Sequence, residues 1–123
     1  PSRARPLAEL CAGLPRRVTF SDRLQDFPTR DSQAILAWLT AGSEADSRAR
    51  IEAQFGPLAG GLRRIDQTDG LRMTFADGAI IHLRPSGNAP ELRLYTEAET
   101  DEAARTLNAA ALARVRGMAA LLA

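Results

Sequence analysis

One cysteine, Cys11, and one histidine, His82, are all that the 123 residues carry of those two types. An intrachain disulfide is therefore impossible, and a zinc centre of the usual Cys/His kind cannot be assembled. Cys11 falls among Leu7, Leu10 and Leu14 and reads as a small packing hydrophobe. The chain also lacks any apolar run near the roughly 20 residues that a membrane span requires, and no signal-type apolar core with a cleavage site opens it. A soluble cytoplasmic protein is the expectation, with no membrane partner. Charge of one sign is missing as well: 16 basic and 15 acidic residues leave a net +1. They are spread along the chain rather than gathered in the dense cationic stripe on which duplex binding relies, so nucleic acid is not an expected partner. A sheet that reads RNA needs exposed aromatics on its strands, and Tyr95 and Phe75 are too few for that. No internal repeat or low-complexity tract is present.

What is there is 45% hydrophobic and of the size of one domain with one core. Leu7, Leu10, Cys11 and Leu14 at helical spacing predict a short amphipathic helix ending at Pro15, a connector within residues 1–16. Residues 17–24, with Val18, Phe20 and Leu24, read as extended, and Phe27-Pro28 breaks that segment. Thr29 or Asp31 is expected to cap a helix through Ile35, Leu36, Trp38 and Leu39 that Gly42 ends. Ser43 with Asp46 opens a second short helix carrying Ile51 and Phe55 inward, which Gly56-Pro57 is expected to stop before a turn at Gly60-Gly61. From Leu62 the period becomes two. Leu71, Met73 and Phe75 alternate with Arg72 and Thr74, Ala76-Asp77-Gly78 makes a hairpin turn into residues 79–83, and Leu92 and Leu94 alternate with Arg93 and Tyr95. Thr100 caps a final helix with Asp101 and Glu102 in its first turn. Its apolar stripe, Ala104, Leu107, Ala111, Val115, Met118 and Leu122, is assigned to the core. The sum is an α+β fold: a single antiparallel sheet of about four strands plus one edge strand, with helices packed on one face.

Between two strand-like runs, residues 84–91 read Arg-Pro-Ser-Gly-Asn-Ala-Pro-Glu, and Arg93 follows. Gly87 permits backbone angles closed to other residues and Pro90 stiffens the exit, so successive amides can converge on one anion. Ser86 and Asn88 add side-chain donors, and Arg84 and Arg93 supply guanidinium forks that can each meet two phosphate oxygens. The same residue types also make a plain β-turn for conformational reasons alone.

The run Asp69-Gly-Leu-Arg-Met-Thr-Phe, then Asp77-Gly78, then residues 84–98, together with residues 19–34 upstream, resembles the C-terminal domain of the α-D-phosphohexomutases, the bacterial phosphomannomutase and phosphoglucomutase family. That domain's usual loop is Arg-x-Ser-Gly-Thr-Glu-Pro followed by Arg-x-Tyr, and the likeness covers most of the chain from about Pro15 onward. It implies a sheet-and-helix layer similar to half of a TATA-binding protein. It implies that Arg84, Ser86, Gly87 and Asn88 grip the phosphate of a hexose phosphate that is not being transferred, with Arg93 supporting the loop. The family's four-domain enzymes pass a phosphate from a phosphoserine in the first domain to the sugar, through a bisphosphate that turns over. A magnesium ion assists from a different domain. Neither the nucleophile motif nor the Asp-x-Asp-x-Asp metal run has a counterpart in this sequence, so the chain should hold no catalytic residue and no cofactor, and should be inert alone. Its other domains are the implied partners. The start at Pro1 without an initiator methionine agrees with a C-terminal fragment of residues 17–123 behind a connector.

Two positions depart from the pattern: Asn88 replaces threonine and Ala89 replaces glutamate. The amide of Asn88 can still donate, while the lost carboxylate leaves the choice between mannose and glucose open. His82 shares a strand face with Arg84 and could join an anion site when protonated, although an ordinary surface role suits it better. Glu91 and Glu97 are read as strand charges with cross-strand partners rather than as an acid/base pair. The competing reading of the whole chain is a stand-alone anion-binding or protein-interaction module of the same fold.

Overall fold

Alternation of apolar and polar residues at period two builds the centre of the molecule. In β3 (Leu71–Phe75) Leu71, Met73 and Phe75 are buried, and in β5 (Leu92–Ala98) so are Leu92, Leu94, Thr96 and Ala98. The computed structural model describes residues 17–86 and 89–122. The remaining strands are β1 (Val18–Leu24), β2 (Leu62–Asp66) and β4 (Ile80–Pro85), and the helices are α1 (Thr29–Leu39), α2 (Glu44–Ala59) and α3 (Asp101–Leu122). All strand pairs are antiparallel, in the order β1-β5-β4-β3-β2. The fold is the expected single-sheet α+β layer, with the first strand reaching across to pair with the last. The connector helix foreseen within residues 1–16 lies outside the described residues.

The helices cover one face. α3 packs on β1 and β5, and α1 and α2 pack against α3 and the strands beside it. Ile35, Leu39, Ile51, Phe55, Val115 and Met118 meet Met73, Phe75, Ile81, Leu83 and Leu94 in one core. At about 25 cal/mol per Å2 of apolar surface removed from water, this burial is the main favourable contribution to folding. One polar residue enters that layer. Asn108 of α3 is fully buried, and its Nδ2 reaches the carbonyls of Phe20 (3.2 Å) and Leu94 (3.1 Å) and the hydroxyl of Thr96 (3.2 Å). Thr96 in turn donates to the Ala104 carbonyl at 2.8 Å, so helix and strands are stitched as well as packed.

Four local expectations need correction. α1 begins at Thr29 without a side-chain cap from Thr29 or Asp31; instead the Pro28 carbonyl accepts from Asp31 N (2.9 Å) and Ser32 N (3.2 Å), the backbone itself closing the first turn. α1 ends at Leu39, before Gly42, because the Thr40 hydroxyl takes the Leu36 carbonyl at 2.8 Å; Gly42, at φ +79°, serves the reversal into α2 instead. α2 is not stopped at Gly56-Pro57 but runs 16 residues to Ala59. Pro57 removes its own N–H bond from the helix and crowds the carbonyl one turn earlier, yet the helix continues through it. Gly56 before it has no Cβ for the ring to strike, and Gly60 N closes the last turn on the Gly56 carbonyl at 2.8 Å. The Ser43–Asp46 capping box at its start is formed as read. Finally, Leu122 is 39% exposed and leaves the stripe that Ala104, Leu107, Ala111, Val115 and Met118 keep buried. A 22-residue helix extends about 33 Å, longer than the roughly 23 Å of a seven-residue strand, so its last turn overhangs the sheet. Thr100 caps α3 as expected, accepting from Ala103 N at 3.0 Å.

Candidate functional site

No described helix covers the second face of the sheet, and the register arranges its side chains in rows. Arg93 of β5 stands directly opposite Arg23 of β1 on one side and Arg84 of β4 on the other. The next row runs Ser21, Tyr95, His82, Arg72 and Asp66 across all five strands. Like charges directly opposite on neighbouring strands repel. Three guanidiniums abreast therefore need counter-charge, and the molecule supplies two carboxylates.

Glu91 Oε1 lies 3.6 Å from Arg23 Nε and its Oε2 lies 3.3 Å from Arg93 Nε, so one carboxylate bridges two strands. Arg84 Nε meets Asp69 Oδ2 at 3.2 Å. Arg93 is held charged still more firmly than an ordinary arginine, first by its hydrogen bond with Tyr95 and then by Glu91. Asp69 comes from the turn between β2 and β3, whose shape follows from its own residues. The Asp66 carboxylate accepts from Thr68 N at 2.9 Å, and the bonds from Thr68 hold Asp66 below the usual carboxylate range. Gly70 adopts φ +75° and passes so close to β4 that a Cβ would sit 2.3 Å from the Leu83 carbonyl oxygen. Only glycine satisfies both conditions.

The loop joining β4 to β5 opens at the end of the arginine row. Its mouth is closed by Ser86 N donating to the Glu91 carbonyl at 3.1 Å, and Glu91 N donates to Ala89 O at 2.8 Å. The corner between β1 and α1 ties it down, with Phe27 N donating to the Pro90 carbonyl at 2.7 Å. The amides of Ser86 and Glu91 are thus spent inside the loop. Gly87 and Asn88, assigned with Ser86 to the phosphate grip, lie outside the described residues. Of the five residues assigned to the site, Arg84, Ser86 and Arg93 come together at one corner of the open face.

Asp69, Arg23, Glu91 and Tyr95 belong to the same corner, and the first two carried no assignment from sequence. Asp69 and Gly70 were read only as part of the run that carries the resemblance, and nothing in the linear order says that their turn lies beside Arg84. Beside Arg93 a hollow of about 300 Å3 is lined by Ser21, Asp22, Arg23, Arg93 and Tyr95. His82, expected to have an ordinary surface role, ties the β2–β3 turn to β4, its Nε2 bonding to the Asp69 carbonyl and its ring 5.6 Å from that of Tyr95. Glu97 pairs with Arg72 at 3.6 Å. Six residues along an extended strand separate it from Glu91 by about 20 Å, too far for shared acid/base work. Among the described residues no three His, Cys, Asp or Glu side chains group in a way that could hold a metal ion, and no helix is long and apolar enough to cross a membrane.

Residues 32–114 match the family described as phosphoglucomutase/phosphomannomutase, C-terminal domain. Relatives agree. The chain is 42% identical over 108 residues to a phosphomannomutase of Sinorhizobium fredii (strain NBRC 101917 / NGR234), an alignment covering 88% of this chain and 22% of that protein. It is 37% identical over 115 residues to a phosphomannomutase of Salmonella muenchen, covering 94% of this chain and 23% of the relative. The chain therefore spans less than a quarter of the length of these relatives. The five-stranded antiparallel sheet with helices on one face and the family match agree, and the chain belongs to the C-terminal domain family of the phosphoglucomutases and phosphomannomutases.

Proposed function

We propose that this chain is the substrate-phosphate-binding domain of a cytoplasmic phosphomannomutase-type isomerase, holding the phosphate of a hexose phosphate that is not being transferred. The observation that carries the reading is the position of Arg84 and Arg93, directly opposite one another on adjacent strands at the mouth of the β4–β5 loop. Two guanidinium forks side by side suit the several oxygens of a phosphate dianion. Ser86, Gly87 and Asn88 complete the grip with hydroxyl, backbone and amide donors, and the polar hollow beside Arg93 offers partners for sugar hydroxyls.

Binding energy spent on this remote phosphate orients the reacting end of the sugar, which serves turnover as well as affinity. The grip must also release, because a bisphosphate intermediate has to present its other end. By the same reading, phosphoryl transfer itself, and the magnesium ion that supports it, are assigned to other domains of the enzyme. Alone, the chain should not interconvert hexose 6-phosphate and hexose 1-phosphate. Titration with inorganic phosphate or mannose 6-phosphate, followed through backbone amides, tests the site. Shifts centred on residues 86–89 that shrink in Arg84→Ala are expected; shifts confined to another surface sink the assignment.

A further inference from the structure

We infer that Asp69 is a positioning residue of the anion site, an acceptor preset by the β2–β3 turn that aims the Arg84 guanidinium at the guest. The inference rests on the phosphate reading of the preceding subsection and extends the site to a turn more than a dozen residues upstream of the loop. Three ties fix that turn to β4. Gly70 runs against the Leu83 carbonyl at a separation that excludes any side chain. His82 bonds through Nε2 to the Asp69 main-chain carbonyl; a carbonyl can only accept, so Nε2 carries the proton. The third tie is the ion pair of the Asp69 carboxylate with Arg84, made through Nε at 3.2 Å.

The first two ties involve only backbone, Gly70 and His82, so the main chain that carries Asp69 is in place whatever Arg84 does, and the carboxylate starts from a fixed Cα beside Arg84. Arginine has rotamer freedom to lose when it engages a ligand, and an acceptor fixed in advance removes part of that loss before the ligand arrives. Contact through Nε matters for the same reason. It takes the inner edge of the guanidinium and leaves Nη1 and Nη2, the pair that meets two oxygens of a phosphate. Arg93 is held in the same manner by Glu91, through Nε at 3.3 Å. Arg84 and Arg93 are therefore both gripped from behind. What Asp69 supplies is an acceptor in the right place; its negative charge works against the arriving dianion.

That division separates two substitutions. Asp69→Asn keeps an oxygen acceptor for Nε and removes the charge, so inorganic phosphate should bind at or above wild-type affinity. Asp69→Ala removes both, frees Arg84, and should weaken phosphate roughly three- to tenfold, in keeping with the freedom of one long side chain. The experiment is the amide-followed titration with inorganic phosphate on the wild-type chain, both Asp69 variants and Arg84→Ala, with amide positions away from residues 67–93 confirming that each variant is folded. Wild-type affinity in Asp69→Ala, or equal weakening in Asp69→Asn and Asp69→Ala, overturns the positioning role. If the wild-type chain shows no shifts that depend on phosphate, or if Arg84→Ala binds phosphate as the wild type does, the anion site itself is wrong; if Arg84→Ala is impaired and Asp69→Ala is not, only the role of Asp69 fails.

Discussion

The two faces of the sheet are made by alternate residues of the same strands, yet they obey different physics. Leu92, Leu94 and Thr96 of β5 turn toward the helices and are fully buried. Arg93, Tyr95 and Glu97, interleaved with them, turn to the face that no described helix covers and join rows of charge. Burial on the first face removes apolar area from water and fixes the register. Exposed ion pairs on the second contribute little to stability, with a typical worth of about 0–1 kcal/mol each. Stability and recognition are thus separated by a single residue step along the chain, and the substitutions below test how complete that separation is.

The largest effect belongs to the apolar face. Leu94→Ala should cost about 2–5 kcal/mol, through lost transfer energy and the cavity left under α3. Its neighbour Arg93→Ala should leave the melting temperature nearly unchanged while weakening phosphate binding. Chemical denaturation beside the phosphate titration checks both; comparable destabilisation by the two would erase the contrast.

Gly70 is the place where the contrast should blur. Its backbone conformation is left-handed and its Cα faces the Leu83 carbonyl, so Gly70→Ala must strain φ and push β2–β3 off β4. A loss of about 1–3 kcal/mol is expected, together with weaker phosphate binding because Asp69 moves with the turn. Stability lost without any change in binding would detach the turn from the site. Asn108 offers the reverse case, a polar group on the apolar face. Asn108→Ala strips the carbonyls of Phe20 and Leu94 of a donor and should cost about 1–3 kcal/mol in denaturation with phosphate affinity intact.

The apolar face was legible in the sequence and the polar face only in part, and the reason is physical. Period-two and period-3.6 hydrophobicity specify which side of a strand or helix is buried, so Leu71, Met73, Phe75, Leu92, Leu94 and most of the α3 stripe follow from spacing alone. Asn108 did not, because a buried asparagine needs acceptors from distant strands that no local pattern announces. The loop was visible through Gly87, Pro90 and its arginines. Its counter-ions were harder: Asp69 reaches Arg84 only because β2–β3 and β3–β4 fold back as consecutive hairpins, and Arg23 reaches Glu91 only because the first strand pairs with the last. Helix ends failed where backbone groups did the capping, as at Pro28, and where a glycine excused a proline, as at Gly56-Pro57.

Arg72 and Glu97 pair at 3.6 Å on the open face with both side chains partly in water. Arg72→Gln should change stability by no more than about 0.5 kcal/mol, and less at high salt, as for other exposed pairs. A larger loss would mean that the polar face carries stability after all.

The smallest effect is expected at Asp66, at the far end of that row, and it is one of pH. Bonds from the Thr68 hydroxyl and amide favour the charged carboxylate and hold Asp66 below its ordinary value, with Arg64 and Arg72 adding a weaker pull. A depressed carboxylate contributes stability above its unfolded value, about 3.9 for aspartate, and the contribution fades as pH falls through the lower folded value. The wild-type chain should therefore lose slightly more melting temperature than Asp66→Asn as pH falls below 5. Above pH 5 the two should melt in parallel. Carboxyl chemical shifts give the direct check: the Asp66 midpoint should lie below the ordinary value and rise toward it in Thr68→Ala, where the side-chain bond is lost. An unshifted midpoint would mean that the turn carrying Asp69 is not held by Thr68, and its rigidity would then have to come from Gly70 and His82 alone.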